Sequence, residues 1–290
     1  MSASGQRSSR RVAPQSFVTY EGYRYLKATA IAVLLATALF VGDEPLGGRS
    51  GGTWAGYGLG TVATGTMLWL MWFGVRKRAY RSRGAPLRGW LSAHSYVGLS
   101  LLVIVPLHSA FQFGWNIHTL AFALMVAAIL TGIVGVLVYD TVPARMTRNR
   151  PGQELSSLYE QIAELDGECR RQASALPDEF ARAVRVSIEE TRIGGGVWAQ
   201  LLRRAPNCGT ARAVGIVEQL NRDRDLGDDG RDQVRRLIEA LSLKQRSLSR
   251  VRRDIQYKAL IDSWLVLHVP LAFASVVAVA VHIFVVFYYR

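Results

Sequence analysis

Cysteine and histidine are scarce in this chain, which contains two cysteines and five histidines among 290 residues. Cys169 and Cys208 are too few to ligate a standard iron–sulfur cluster, and no histidine lies between residues 119 and 267 to complete such a site. The sequence also lacks a CxxCH motif, which excludes covalent attachment of a c-type haem. We therefore interpret the two cysteines as isolated thiols in helical packing.

Segments that alternate apolar and polar residues with a period of two are absent as well, so the sequence predicts no β-strands. The glycine run at residues 194–196 lies between predicted helices. A glycine-rich turn that binds the phosphates of a flavin or nicotinamide cofactor has to join a strand to a helix. The sequence therefore predicts an all-α protein without a dinucleotide-binding domain.

In place of such alternating segments, the chain contains long apolar runs. Half of its residues are hydrophobic, and they are concentrated in five runs near or above the roughly 17–25 residues that a membrane-spanning helix needs. The first run is short and rich in alanine, like the core of a signal peptide, but its long basic leader favours a retained anchor. The runs cover residues 27–42, 59–75, 91–113, 118–139 and 263–287.

The segment between the fourth and fifth runs has a soluble composition, and prolines and glycines divide it into predicted helices. We predict an all-α membrane protein with five transmembrane helices, of which the second to fifth form a four-helix bundle. The predicted divisions are a basic cytoplasmic tail (1–26), transmembrane helices one to four (27–139), a helical cytoplasmic insert (140–262) and transmembrane helix five (263–290). Within the insert, helices are expected at 153–175, 178–192, 197–204, 210–222 and from 229 onward.

The net charge of +13 is unevenly distributed. Residues 140–262 hold 22 lysines and arginines against 19 acidic residues, so most of the excess lies elsewhere. An excess of Lys and Arg in short loops marks the cytoplasmic side of a membrane protein. This places the N-terminus and the insert in the cytoplasm and the C-terminus outside, and the charge indicates topology rather than binding to nucleic acid. The basic residues concerned are Arg7, Arg10, Arg11, Arg24, Lys27, Arg76, Lys77, Arg78, Arg81, Arg83 and Arg88.

A tetrad of the form WLxxH occurs twice, and each copy is followed by a second histidine fourteen residues after the first. The first copy ends at His94 and is followed by His108, and the second ends at His268 and is followed by His282. A helix places histidines with this spacing about 40° apart around its axis and about 21 Å apart along it. Helices three and five cross the membrane in the same direction, so they present imidazole pairs at two depths. We expect His94 and His268 to be the axial ligands of an inner haem b, and His108 and His282 those of an outer haem b.

Histidines in membrane helices also have other uses. Each one can be hydrogen-bonded to a neighbouring helix or face water, although four at equal spacing with repeated flanks favour a shared function. A proton relay is disfavoured because the cores of the five apolar runs contain no acidic residue. Transport of metal ions is disfavoured because the two rings on each helix lie far apart rather than in one coordination shell.

Further groups around the haems are also predicted. Haem propionates are anionic, and Arg76, Arg78 and Arg88 are the cations expected near the inner haem. His118 starts the fourth helix on the outer side, where it either caps the helix or faces headgroups, or contacts a quinone or a propionate of the outer haem. The hydroxyl groups expected to hold the second ring nitrogens of the ligands belong to Ser92, Ser95, Ser109 and Thr131.

With these histidines, the chain resembles the dihaem b-type cytochromes, namely the cytochrome b of quinol-oxidising complexes and the membrane domain of ferric reductases and NADPH oxidases. The resemblance covers residues 59–139 and 263–287 and assigns the axial ligands to the four paired histidines. The stretches HSAFQFGWNIHTLAFALM and WLVLHVPLAFASVVAVAVHIFVVFYY are similar to a bacterial group that accompanies multihaem c-type cytochromes and iron–sulfur subunits. Unlike the ferric reductases the chain has no sixth helix and no flavin domain, and unlike cytochrome b it has no Pro-Glu-Trp-Tyr motif.

The resemblance implies a cytochrome b subunit of a bacterial inner-membrane redox complex. Its expected function is electron transfer across the membrane, with two haems b as cofactors and exchange with quinone or with soluble redox partners. The implied partners are membrane lipid, a cytoplasmic iron–sulfur or flavin subunit and a periplasmic c-type cytochrome. We single out no catalytic residue. The alternatives are a stand-alone reductase of ferric chelates or oxygen with a separate cytoplasmic donor, and a haem-free membrane sensor or scaffold.

Overall fold

The computed structural model describes residues 16–78, 87–149, 152–195, 208–224 and 226–288, except for the side chains of residues 75–78. These residues are almost entirely helical, and the only β-type pairing among them is an isolated bridge between Thr191 and Cys208. The prediction of an all-α protein is therefore confirmed for the described part of the chain. Its α-helices are α1 (Arg24–Gly42), α2 (Trp54–Arg78), α3 (Leu87–His108), α4 (Ile117–Asn149), α5 (Leu155–Ala173), α6 (Asp178–Glu189), α7 (Gly209–Asp223) and α8 (Asp228–Tyr288).

Four of these helices, α1, α3, α4 and α8, are long and apolar enough to cross a membrane, which indicates a multi-pass membrane protein. The predicted second span is also helical, because α2 covers 25 residues there. It does not reach the apolar content of the other four, since glycines such as Gly58 and Gly65 and several threonines interrupt its apolar residues. Four candidate spans are therefore established, and the fifth stays a prediction.

The chain divides into two compact units. One contains the described residues up to Asp140 together with those from Trp264 onward, and the other contains those from Thr141 to Ser263. The second unit corresponds to the segment in which the sequence predicts the insert, and the predicted helix at 197–204 lies outside the described residues. Helix α8 runs without a break through residues of both units, as the absence of a breaker before Pro270 suggests.

The first unit has an apolar core between its long helices. The buried residues of this core come from α2, α3 and α4, with partly buried residues of α8 packed against them. Helix α3 packs against both α1 and α2. Large apolar side chains on the outside remain exposed, among them Leu34 at 69%, Val266 at 75% and Phe287 at 73%. Such surfaces are unfavourable in water and are consistent with contact with membrane lipid.

The second unit has a separate core with a buried charge at its edge. Phe180, Val217 and Leu237 are fully buried between α6, α7 and the first part of α8. The side chain of Lys244 is 1% exposed, and its Nζ lies 2.5 Å from Oδ1 of Asp166. The same ammonium group donates hydrogen bonds to the carbonyl oxygen and the hydroxyl of Ser187, both at 2.9 Å. A buried ammonium group needs this full set of partners because it has lost its hydration.

Both cysteines are free thiols in this unit, as the sequence predicts. Cys169 is 1% exposed, and burial raises the pKa of its thiol to about 11. The thiolate is the nucleophilic form, so Cys169 is unreactive at neutral pH while the unit stays folded. Its reactivity therefore reports on opening of the unit.

Replacing Lys244 by methionine should destabilise the second unit by about 3 kcal/mol, because Asp166 and the Ser187 carbonyl lose their partner. In a Cys208→Ser background, the rate at which a maleimide labels Cys169 should then rise by roughly 100-fold under conditions of rapid reclosing. Lys258→Met is the matched control, since Lys258 is exposed on the same helix. Equal labelling rates in the two variants would show that the buried ion pair does not stabilise the unit.

Candidate functional site

The inner pair of predicted ligands lines one cavity. This cavity has a volume of about 140 Å³ and is lined by residues of α2, α3, α4 and α8. His94 of α3 and His268 of α8 both contribute to its wall, and most of the remaining wall is apolar, including Met67, Leu101 and Val276. The structure therefore brings these two histidines to one apolar space between four helices.

His268 is held by two neighbouring side chains. Its Nδ1 lies 3.0 Å from Oγ1 of Thr131, whose hydroxyl donates to the carbonyl oxygen of Ala128 at 2.8 Å. Because the threonine proton is used in that bond, Nδ1 of His268 has to carry the proton and donate to the hydroxyl. The Trp264 indole stacks on the imidazole with ring centroids 5.1 Å apart, and its Nε1 donates to the Thr131 carbonyl oxygen at 2.6 Å. Nε2 of His268 is left as the basic nitrogen.

Glycines of α4 allow this arrangement. A Cβ atom at Gly132 would lie 3.4 Å from Cε1 of His268, and a Cβ atom at Gly135 would overlap the Trp264 indole. Small residues such as Gly132 and Gly135 permit the close approach of neighbouring helices. The structure shows that they meet the side chains of the second WLxxH copy.

His94 lacks the support that the sequence predicts for it. Its Nδ1 is buried without a hydrogen-bond partner among the described residues, and the Ser95 hydroxyl donates instead to the carbonyl oxygen of Leu91 at 2.9 Å. The Ser275 hydroxyl, which lines the same cavity, is also buried and unpartnered within the described part of the chain. Two unsatisfied polar atoms at one apolar cavity are unfavourable, and a polar or metal-containing occupant would relieve that penalty.

The outer pair of histidines also comes together. The ring centroids of His108 and His282 lie 6.2 Å apart, with their planes at 85°. Two imidazoles on opposite sides of a metal, each bound at about 2.0 Å, have ring centroids roughly 6 Å apart. The separation of these two rings therefore matches that of a pair of axial ligands.

His108 is fixed by the backbone of α2. Its Nδ1 lies 2.7 Å from the carbonyl oxygen of Gly56, which can only accept a hydrogen bond, so Nδ1 carries the proton and Nε2 is basic. A Cβ atom at Gly60 would lie 2.7 Å from Cε1 of His108, a distance that leaves no room for any side chain there. Directly after His108, Ala110 and Phe111 adopt left-handed backbone conformations with φ of 49° and 60°, which turn the chain away from α3. The Ser109 hydroxyl donates to the Pro106 carbonyl oxygen and not to His108.

The two pairings also fix the relative direction of the two histidine-bearing helices. His94 of α3 and His268 of α8 line one cavity. His108 of α3 and His282 of α8, each fourteen residues further along its helix, lie beside each other. The two helix segments therefore run in the same direction, as the sequence analysis expects. The repeated tetrads differ in their contacts, however: Trp264 stacks on its own histidine, whereas Trp90 stacks on Trp69 with ring centroids 5.4 Å apart.

His118 lies in a place that the sequence analysis missed. Its Nδ1 is in direct hydrogen-bond contact with Nδ1 of His282, and the two ring centroids are 4.4 Å apart. It does not cap its helix through its side chain, because Asn116 Oδ1 accepts the hydrogen bond from the Thr119 backbone N–H. The only sequence signal for this contact is that both histidines lie at the outer ends of their helices.

The predicted propionate contacts remain predictions. The side chains of Arg76 and Arg78 lie outside the described residues, and Arg88 is exposed at the start of α3. On the predicted outer side, Arg49 donates to the carbonyl oxygens of Val41 and Asp43, so its guanidinium caps the end of α1. This arginine is therefore already engaged by the protein.

Among the described residues, no group of three or more histidine, cysteine, aspartate or glutamate side chains is arranged to hold a metal ion. A haem iron takes only two ligands from the protein, and the rest of its coordination comes from the porphyrin. Comparisons of the chain with protein-family models, with curated proteins and with solved structures find no match.

The contact between Gly60 and His108 can be tested by substitution. Gly60→Ala should destabilise the first unit by about 1–3 kcal/mol because the new methyl group overlaps the imidazole. Gly58 lies two residues away on the exposed side of α2, and a Cβ atom there would contact no other atom. Gly58→Ala should therefore be neutral or stabilise the unit by up to about 1 kcal/mol. Thermal unfolding of the detergent-solubilised protein measures both changes. A Gly60→Ala protein as stable as Gly58→Ala would contradict the close approach of α2 to His108.

Proposed function

We propose that this protein is a dihaem b-type membrane cytochrome that transfers electrons across the membrane as a subunit of a larger redox complex. The observation that carries the proposal is the pairing of four histidines at two places between membrane helices. His94 with His268, and His108 with His282, are the ligand pairs. Between two imidazoles, haem iron has no free coordination position and supplies a one-electron redox couple.

The protonation of the histidines supports this use. A histidine that binds a metal through Nε2 normally donates its Nδ1–H to a carbonyl, hydroxyl or other acceptor. His268 does so to Thr131 and His108 does so to the carbonyl oxygen of Gly56. The protein thereby fixes the tautomer and the ring direction of both residues without any contribution from a ligand. Nε2 of each is left basic, as an axial ligand requires.

The surroundings of the inner pair fit a flat apolar group with a metal centre. The cavity wall is mainly apolar, Gly98 and Gly132 contribute no side chain to it, and the buried atoms His94 Nδ1 and Ser275 Oγ lack partners within the described residues. His94 of α3 and His268 of α8 would hold and orient the group there, and Gly98 and Gly132 would leave space for it. Exclusion of water by the apolar wall would keep its charge changes in a medium of low polarity.

The proposed orientation and partners follow from charge and from the family resemblance. The basic N-terminal tail and basic loop indicate a cytoplasmic N-terminus and insert, with the C-terminus in the bacterial periplasm. The inner site would then exchange electrons with a cytoplasmic iron–sulfur or flavin subunit. The outer site would exchange them with a periplasmic c-type cytochrome or a quinone. Membrane lipid surrounds the apolar faces.

A haem-free membrane sensor or scaffold is the second candidate, and one observation favours it. His108 is hydrogen-bonded to Gly56, and His118 and His282 are hydrogen-bonded to each other, so the outer histidines have polar partners within the protein. The first candidate explains better why the four histidines form matching pairs. A redox difference spectrum of the purified protein separates the two candidates, because only a cytochrome gives a low-spin b-type signal.

The haem content gives the direct test. The pyridine haemochrome method should find two haems b per chain in the purified wild-type protein. His94→Ala or His268→Ala should each remove the inner haem alone, and His108→Ala or His282→Ala the outer haem alone, because each haem needs both of its imidazoles. A wild-type protein without haem, or four alanine variants that all retain two, would refute the proposal.

The proposed orientation is tested by labelling from one side of the membrane. In a Cys208→Ser background, a membrane-impermeant maleimide should label Gly47→Cys in spheroplasts, since Gly47 lies in the predicted outer loop and is exposed. Ser156→Cys, exposed in the second unit, should react only in inverted membrane vesicles. Buried Cys169 does not contribute to the signal. The opposite pattern would reverse the assigned topology.

A further inference from the structure

The fifth histidine of the chain lies against one of the proposed ligands. His118 in the first turn of α4 and His282 near the end of α8 meet through their Nδ1 atoms. Their ring planes are 85° apart and their ring centroids are 4.4 Å apart. His282 thus has two imidazole neighbours, since the ring centroid of His108 lies 6.2 Å from its own.

The two distances assign different roles to the two neighbours. Imidazoles that bind one iron from opposite sides have ring centroids roughly 6 Å apart, given metal–nitrogen bonds of about 2.0 Å. The 6.2 Å separation of His108 and His282 meets this requirement, whereas the 4.4 Å separation of His118 and His282 is too short for an iron between them. His118 is therefore not the opposing ligand of His282.

The contact of His118 with His282 resembles the contacts of two of the other three proposed ligands, His268 and His108. Nδ1 of His268 is held by the Thr131 hydroxyl, and Nδ1 of His108 by the Gly56 carbonyl oxygen. Nδ1 of His282 is in hydrogen-bond contact with Nδ1 of His118. In each case the nitrogen that is not needed for the metal faces a polar group of a neighbouring helix.

We propose that His118 is a positioning residue of the outer site, with its Nδ1 accepting a hydrogen bond from Nδ1–H of His282. This inference rests on the proposed function. His118 then carries its own proton on Nε2, and Nε2 of His282 is left basic and directed away from His118. A hydrogen-bond acceptor on the far nitrogen makes an imidazole a more basic metal ligand. The bond therefore stabilises the oxidised state of the outer site relative to the reduced state.

Redox titration of the full-length purified protein tests this role. His118→Leu removes the acceptor and should shift the ratio of reduced to oxidised outer haem at a fixed potential by about tenfold toward the reduced form. For a one-electron couple this is an upward shift of the midpoint potential of about 59 mV. His118→Asn, whose amide oxygen takes approximately the place of Nδ1, should restore most of the wild-type potential. The spectrum of His94→Ala, which retains only the outer haem, assigns the signal.

Thr131→Val is the matched control, because it removes the equivalent acceptor from His268. It should shift the potential of the inner haem and leave the outer haem unchanged. Loss of the outer haem in His118→Leu with its retention in His118→Asn would also support the positioning role.

Three results would overturn the inference. An unchanged outer potential in His118→Leu would show that the bond has no effect on the outer site, while two haems in that protein would leave the proposed function intact. Loss of the outer haem in both His118 variants would make His118 itself a ligand. A wild-type protein without haem would refute the proposed function and this inference together.

Discussion

Hydrogen bonds that fix the rings of three of the four paired histidines constrain the packing of the first unit. A histidine buried in an apolar medium is unfavourable unless its polar atoms are paired, and the chain pairs Nδ1 of three histidines in α3 and α8 with atoms of neighbouring helices. Each pairing fixes the ring in one direction. The Nδ1 atoms contact residues of α2 and α4. Under the proposed function, the second ring nitrogens would be the metal ligands.

Close packing of glycine against these rings is the second constraint. Gly60 of α2 lies against His108, Gly132 of α4 lies against His268, and Gly135 lies against Trp264. A methyl group at any of them would come close to or overlap an aromatic ring, so the helices could not approach to their present distance. Gly60 and the other glycines of α2 also lower the apolar content of that helix, which is not among the four candidate membrane spans.

Much of this arrangement is predictable from the sequence because it depends on periodicity. The spacing of fourteen residues and the two WLxxH tetrads predict which histidines share a level, and the structure brings those pairs together. Apolar run lengths predict the helices, and prolines and glycines predict the divisions of the second unit. The run at residues 59–75 also predicts a span, but α2 is not among the four helices of the described residues that are apolar enough to cross a membrane, so that span stays a prediction.

Contacts that depend on the rotation of one helix about its axis are not predictable in this way. The contact of His118 with His282 joins residues 164 positions apart, and a rotation of α4 by a fraction of a turn would break it. The partners of the ring nitrogens were predicted as hydroxyls, yet only Thr131 is one of them, and Gly56 acts through its backbone carbonyl. Ser95 and Ser109 bond to carbonyl oxygens of their own helix, an alternative that any serine in a helix has.

The two pairs of histidines have different surroundings, and this difference affects the energies of the two sites. A hydroxyl and a stacked indole adjoin His268, a backbone carbonyl adjoins His108, and a second imidazole adjoins His282. A repeated sequence has thus produced two chemically distinct environments within the first unit. Under the proposed function, the two sites would differ in their affinity for an electron before any partner binds.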